Sequence, residues 1–76
     1  MIITLSIFLP LPSDEKIRNL SLHLLPGTTV GQVMDRYHIP DDKVWLYVVN
    51  HRQIRQRGDA LSDGDHLMVF PPLEGG

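Results

Sequence analysis

Apolar and polar positions in the first third of the chain follow the pattern of β-strands. Residues 2–9 are rich in β-branched and aromatic types and end at a Pro-x-Pro run, which predicts a strand followed by a loop. In residues 19–25, Leu20, Leu22 and Leu24 alternate with polar side chains, as in a strand that is half-buried against a core. This part of the chain therefore predicts two strands.

The apolar spacing then changes to that of a helix. Four residues recur at i, i+3, i+4 and i+7 and form a stripe: Val30, Val33, Met34 and Tyr37. The stripe predicts one amphipathic helix of about three turns that faces the core, with Thr28 or Thr29 as its N-terminal cap. The helix is expected to stop before Pro40, because a residue that precedes proline is pushed out of helical geometry.

Three further strands are predicted in the second half. Residues 44–49 are apolar on both faces, which is typical of a buried strand, and a turn at residues 50–52 leads to a short polar strand around Ile54. A turn containing Gly64, which can take positive φ, precedes a last strand at residues 66–70. The predicted order is β-β-α-β-β-β, an α+β fold in which one helix crosses a mixed sheet of four to five strands.

Length and composition restrict the classes of protein. A chain of 76 residues holds one small domain, which we place at residues 1–70, with a flexible Gly-Gly tail at 71–76. The lack of cysteine excludes a disulfide framework and a cysteine nucleophile, and a net charge of -2 gives no reason to expect nucleic acid as a partner. The apolar start lacks the basic segment of a signal peptide, and no apolar run reaches the ~18–20 residues that span a bilayer. We therefore expect a cytoplasmic protein with no membrane partner.

Other candidate chemistry has ordinary structural explanations. The four histidines are 13 to 15 residues apart, which is not a metal-ligand spacing, so no metal site is expected. Asp59, Asp63 and Asp65 lack the calcium-loop pattern and predict a plain turn. The arginines at 52, 55 and 57 form either a basic patch for a partner or, in our preferred interpretation, the charges that keep an edge strand from pairing.

The end of the chain carries a resemblance to a known family. Val48-Val49-Asn50, Leu61-Ser62-Asp63-Gly64-Asp65 and Phe70-Pro71-Pro72-Leu73 are followed by Gly75-Gly76 at the terminus. Together with the element order, these motifs resemble the ubiquitin-like sulfur carriers of the MoaD/ThiS type, which have the β-grasp fold. The Phe-Pro-Pro-Leu run is most similar to the small subunit of molybdopterin synthase, since thiamine-pathway carriers usually lack the Pro-Pro pair.

The resemblance implies a site at the terminal carboxylate. An E1-like adenylating enzyme of the MoeB/ThiF type would adenylate Gly76 with ATP, and a sulfur donor would convert the acyl adenylate into a thiocarboxylate. The chain would bind no cofactor and would serve as a carrier, not an enzyme, that gives sulfur to a large synthase subunit of the MoaE type or to another sulfur-accepting enzyme. The residues expected to bind these partners directly precede Gly76: Phe70, Pro71, Pro72, Leu73, Glu74 and Gly75.

The residue types of this tail suit that chemistry. Glycine has no Cβ and can enter a narrow channel, whereas two prolines fix φ and favour an extended direction. Phe70 and Leu73 are candidate apolar anchors, with a core role for Phe70 as the alternative. Glu74 stands where relatives commonly have a small or neutral residue, and its carboxylate would lie near the ATP phosphates unless a Lys or Arg of the partner pairs with it.

Two other functions remain open from the sequence. A ubiquitin-like modifier would use the same adenylated Gly76 but would join it to lysines of target proteins. A β-grasp interaction module would use no covalent chemistry and would not need Gly75 and Gly76. Within the carrier class, the recipient could also be the thiamine pathway or another sulfur-containing metabolite.

Overall fold

A computed structural model describes residues 1–11 and 13–72. The described residues form five strands, one α-helix and a 3-10 helix at Asp41–Lys43. In chain order the main elements are β1 (Ile2–Ile7), β2 (Ile17–His23), α1 (Val30–Arg36), β3 (Leu46–Val49), β4 (Gln53–Arg55) and β5 (His66–Phe70). The predicted order β-β-α-β-β-β is confirmed.

The five strands form one mixed sheet in the order β2-β1-β5-β3-β4. β1 and β5 are parallel neighbours at the centre, and the other three pairs are antiparallel. A parallel pair needs a long crossover, which here includes α1. This is the β-grasp arrangement expected from the sequence, and β5 occupies its middle position.

One face of the sheet is covered by α1 and forms the core. Alternate residues of β1, β3 and β5 point to this face, among them Leu5, Val49 and Leu67, which are at most 1% exposed. From the helix, Val30, Val33 and Met34 join the same cluster, while Tyr37 is only partly buried against it. The predicted apolar stripe of the helix therefore faces the core as expected.

The helix has seven residues, so the expectation of about three turns is wrong. Its start is as predicted: the Thr29 hydroxyl accepts the Gln32 N–H at 3.2 Å, and the Gln32 side chain accepts the Thr29 N–H at 2.9 Å. Its end comes early because His38 takes a left-handed φ of 58°, and the Ile39 N–H bonds back to the Met34 carbonyl at 3.0 Å. α1 thus ends at Arg36 with a Schellman turn, in which the left-handed residue, His38, lies two residues ahead of Pro40.

The first two strands have different bounds from those predicted. β1 ends at Ile7, two residues earlier than expected, and β2 runs from Ile17 to His23 instead of 19–25. The pairing of the two strands shifts register after Leu5, where Asn19 adopts a φ of 52° and donates its N–H to the buried Ser6 hydroxyl at 2.9 Å. Such a β-bulge cannot be seen in simple alternation. The prediction that Leu20 faces the core together with Leu22 is therefore wrong: Leu22 is buried, but Leu20 is 40% exposed.

The third strand is not buried on both faces, which corrects that expectation. Only Leu46–Val49 is strand, with Tyr47 and Val49 buried in the core. Leu46 and Val48 are half-exposed on the other face, and the preceding Trp45 is 56% exposed. The reason is that α1 covers one face of the sheet and no second layer among the described residues covers the other.

The turns in the second half follow the prediction. Asn50 and His51 take left-handed φ values of 56° and 65° in the hairpin between β3 and β4, and Gly64 has a φ of 84° before β5. Asp59, Asp63 and Asp65 each accept a backbone N–H on a carboxylate oxygen, at 2.7 to 2.9 Å. These carboxylates therefore stabilise turns, as the sequence indicated.

The three arginines around β4 do not act as one group. β4 is an edge strand as predicted, but Arg57 turns inward and Arg55 hydrogen-bonds to Gln53 within the strand. Arg52 is exposed in the hairpin turn. Among the described residues, no helix is long and apolar enough to cross a bilayer.

Candidate functional site at the carboxyl end of β5

The site is built around the end of the central strand. β5 is held on both sides up to its last residue: the Phe8 N–H donates to the Val69 carbonyl at 2.9 Å, and the Trp45 N–H donates to the Phe70 carbonyl at 2.8 Å. Pro71 and Pro72 follow, and because neither has an N–H the ladder cannot continue. Hydrogen bonds from both neighbouring strands thus hold the end of β5, directly before Pro71.

The structure brings two of the predicted partner-binding residues to the surface. Pro71 is half-buried and Pro72 is exposed. Phe70 is half-buried and lies on the face of the sheet opposite α1, so it belongs to neither the core nor the freely exposed surface. The other predicted residues, Leu73, Glu74, Gly75 and Gly76, lie outside the described residues, and their roles stay predictions.

An aromatic stack holds Phe70 in place. Its ring packs on that of Phe8, with centroids 5.0 Å apart and planes inclined by 7°. The Arg18 guanidinium lies over the Phe8 ring, 4.3 Å from its centre. We refer to these three side chains as the tail-root stack.

A cleft of about 570 Å³ opens beside the two prolines. Its walls are largely apolar and include Leu9, Leu11 and Ile39, and the charged Asp42 and Lys43 also line it. Pro71 and Pro72 form one side of it. The described chain therefore ends at Pro72 next to a largely apolar surface.

Arg57 fixes the segment that forms one wall of this cleft. Its Nη1 donates to the Ile39 carbonyl at 3.1 Å and to the Tyr47 hydroxyl at 2.9 Å, and its Nη2 pairs with Asp35 at 3.1 Å. The Tyr47 hydroxyl in turn donates to Asp41 at 3.0 Å. One guanidinium thus ties the end of α1, the 3-10 helix and β3 together.

The electrostatics of this network follow from burial and pairing. Burial raises the pKa of Tyr47 above 10.0, and Asp41 acts in the same direction, while the hydrogen bond from Arg57 opposes both. For Arg57, burial disfavours the charge, but the hydrogen bond to Tyr47 and the nearby Asp35 and Asp41 outweigh it and raise its pKa. Arg57 is therefore charged and Tyr47 neutral at physiological pH.

The face of the sheet opposite α1, which we call the open face, is apolar near the tail. Registered neighbours carry Phe70 beside Leu46, and Met68 beside Val48. Ile54, paired with Val48 on the edge strand, is 69% exposed. A row of half-exposed apolar side chains therefore continues from the tail-root stack across the sheet.

Two histidines meet at the other end of the open face. His66 contacts the Ser6 hydroxyl through Nε2 at 3.2 Å, and its ring lies edge-on to His51 at 5.2 Å. Spacing along the chain did not reveal this contact, because it crosses from the β3–β4 turn to β5. Within the described part of the chain, no group of three or more His, Cys, Asp or Glu side chains could hold a metal ion.

The fold and the position of its exposed end define a ubiquitin-like β-grasp protein. The structure of SAMP1 from Haloferax volcanii has this fold: it matches with a TM-score of 0.72 over 100% of both chains at 21% identity. The model of the ThiS family matches residues 14–76, and the chain belongs to this family. No match was found among curated proteins. Carriers of this family are generally non-catalytic and generally interact with E1-like activating enzymes and acceptor enzymes.

The sequence did not indicate the other members of the tail-root stack. Phe8 was interpreted only as the end of a strand, and Arg18 lay outside the predicted second strand. Their approach to Phe70 depends on the parallel pairing of β1 with β5 and on the bulge in β2. Neither is encoded in a local pattern, so only the three-dimensional structure could show it.

Proposed function

We propose that the chain is a sulfur carrier that acts through the terminal carboxylate of Gly76. The observation that carries the proposal is that the ThiS-family match extends to residue 76 and so includes the terminal Gly75 and Gly76. The described structure supports it, because β5 is the central strand and ends beside two prolines at an exposed edge of the domain.

The proposed chemistry needs only the terminal carboxylate from this chain. A carboxylate oxygen attacks the α-phosphorus of ATP in the active site of an E1-like enzyme, and pyrophosphate leaves. The sulfur of a donor persulfide then attacks the acyl carbon, AMP leaves, and cleavage of the S–S bond by a thiol yields the thiocarboxylate. Gly75 and Gly76 suit this step because a residue without Cβ lets the backbone pass through a narrow channel.

We place the carrier in the molybdopterin branch. The support is the run Phe70-Pro71-Pro72-Leu73, which resembles the small subunit of molybdopterin synthase. The acceptor would then be a large subunit of the MoaE type, with a thiazole-forming enzyme of thiamine synthesis as the alternative. Incubating the thiocarboxylated chain with each acceptor and its substrate distinguishes them, since only the true acceptor returns the chain to its carboxylate form.

The test of the carrier function is a mass measurement. The pure chain is incubated with an E1-like adenylating enzyme, ATP and a sulfur donor, and a chain that lacks Gly76 serves as control. Replacement of one oxygen by sulfur adds roughly 16 Da, and we expect this gain only in the full-length chain. No gain with several such enzymes would refute the carrier function.

A second candidate is a ubiquitin-like modifier. It is favoured by the similarity in fold to SAMP1, a ubiquitin-like small archaeal modifier. The modifier would form an amide bond between Gly76 and a lysine amine of another protein, with loss of AMP from the same acyl adenylate. Tagged chain expressed in its native cells would then appear in higher-mass covalent conjugates, which a carrier alone does not form.

A further inference from the structure

The tail-root stack lies where the fold meets the tail. Arg18, Phe8 and Phe70 come from three different segments: β2, the residue after β1, and the last position of β5. The Phe8 and Phe70 rings are nearly parallel at 5.0 Å, and the guanidinium sits 4.3 Å from the Phe8 centroid. Phe70 is the last residue with sheet pairing before Pro71.

The stack is itself fixed by the backbone. Arg18 donates through Nη1 to the carbonyl of Ile7 and, at 3.0 Å, to that of Ile17, so the guanidinium is anchored to both strands of the β1–β2 pair. Phe8 is anchored by its N–H to the Val69 carbonyl. Phe70 is therefore held from one side by the Phe8 ring and from the other by the Trp45 N–H on its carbonyl.

Core packing does not explain this arrangement. The buried core lies on the face covered by α1, whereas Phe8 and Phe70 are half-buried on the open face, and Arg18 is exposed. Among the described residues, Arg18 forms no salt bridge. The stack therefore adds rigidity at one place, the residue from which the tail departs.

We propose that Phe8 and Arg18 are positioning residues that set the direction in which the chain leaves Phe70 toward Gly76. This inference rests on the proposed function, since it concerns delivery of the terminal carboxylate to an adenylating enzyme. Pro71 and Pro72 directly follow Phe70, and because proline fixes φ the direction set at Phe70 is carried into these two residues. A misplacement of about 1 Å can lower the rate of a reaction about 100-fold, so this direction matters when the domain is docked.

The test separates positioning from docking by steady-state kinetics. Pyrophosphate release is measured with an E1-like adenylating enzyme and ATP, while the concentration of the carrier chain is varied. Phe8→Leu keeps an apolar side chain without a ring, Phe8→Tyr keeps the ring, and Arg18→Gln removes the guanidinium. Leu25→Ala, at a position that is 80% exposed in the loop after β2, is the matched control.

A positioning role predicts a lower kcat with little change in KM. We expect Phe8→Leu to lower kcat about 10-fold or more while KM stays within about 2-fold of the unaltered value. Arg18→Gln should lower kcat by a smaller factor. Phe8→Tyr keeps the ring and should have the kcat of the unaltered chain. Leu25→Ala should keep the kcat of the unaltered chain. Thermal unfolding and far-UV circular dichroism of each variant show whether it is folded. Arg18 is exposed, so Arg18→Gln tests the positioning role without altering the packing of the two aromatic rings.

Each other outcome overturns the inference in a recognisable way. A higher KM with unchanged kcat for Phe8→Leu would make Phe8 a docking residue, and unchanged kinetics for the folded Phe8 variants would remove its role altogether. Unchanged kinetics for Arg18→Gln alone would exclude Arg18 from positioning. If the unaltered chain releases no pyrophosphate and gains no sulfur, the proposed function fails first, and the positioning role fails with it.

Discussion

Removal of the Arg57 guanidinium should cost a large part of the stability of this domain. We consider Arg57→Met, which keeps an apolar stem of similar length and removes every donor. In the unaltered protein the guanidinium donates to the carbonyl of the buried Ile39 and to the hydroxyl of the buried Tyr47, and it pairs with Asp35. The substitution leaves two buried acceptors without their charged donor.

The expected loss can be worked from these contacts. Hydrogen bonds to charged groups contribute about 1.5–3 kcal/mol each, and we use the lower end because the Arg57 side chain is 25% exposed and water can replace part of each bond. The ion pair adds less than about 1 kcal/mol, since Asp35 is 78% exposed. The sum is about 3 kcal/mol, against a total of about 4–11 kcal/mol for a domain of this size.

Urea unfolding measures this loss, with Arg52→Met as the matched control. Arg52 is an exposed arginine in the turn between β3 and β4 and makes no side-chain hydrogen bond among the described residues, so its replacement should change the unfolding free energy by less than about 0.5 kcal/mol. A loss of about 3 kcal/mol corresponds to a decrease in Tm of about 12–24 °C. A difference between the two variants below about 1 kcal/mol would refute the reasoning, and it would mean that water satisfies both acceptors.

Three further predictions concern the same elements. Thr29→Ala removes the helix cap and should lower the unfolding free energy by about 1 kcal/mol in urea unfolding, and an unchanged midpoint would show that the cap is replaced by solvent. Gly31→Ala should lower the unfolding free energy by about 1–2 kcal/mol, although alanine favours helices, because its Cβ would lie 3.0 Å from the Arg57 carbonyl oxygen. Gly58→Ala is its control and should be neutral or slightly stabilising, since no atom lies within 4 Å of its Cβ. Equal urea midpoints for the two variants would contradict the predicted clash at Gly31. The raised pKa of Tyr47 means that the folded state holds the phenolic proton more tightly than the unfolded state. This contribution to stability is therefore complete below about pH 9 and is lost as the pH rises through 10 and above. In urea unfolding Tyr47→Phe should lose less stability over this pH range, and parallel pH profiles of the two proteins would exclude Tyr47 as the source of the loss.

The features that the sequence predicted well are those with a local physical cause. The helical stripe from Val30 to Met34 and the Thr29 cap each depend on residues within one or two turns of chain. The element order and the positive φ at Gly64 followed from the same kind of pattern. These local signals were sufficient for the fold class because few topologies bury one helix on a small mixed sheet.

The features that were missed depend on residues far apart in the sequence. The sequence predicts that Leu46 and Val48 are buried, because apolar residues on both faces of a strand usually mean two covering layers, and the pattern cannot show that one layer is absent. Arg57 was grouped with its sequence neighbours, yet its partners lie 10 to 22 residues away in the chain. The Phe8–Phe70 stack joins opposite ends of the sequence through the parallel pairing of β1 and β5.

The residues that stabilise the fold and the residues next to the proposed site lie on opposite faces of the sheet. Stability comes mainly from the covered face, where the buried side chains and the Arg57 network lie, so changes there should act through unfolding. The open face keeps half-exposed apolar side chains next to Phe70, and leaving such surface in water opposes stability in a small domain. Covering this face, or replacing its apolar side chains with polar ones, would increase the stability of the domain. An apolar surface that adjoins the start of the tail is instead what a carrier needs, if one partner must hold the domain and receive its terminus in the same encounter.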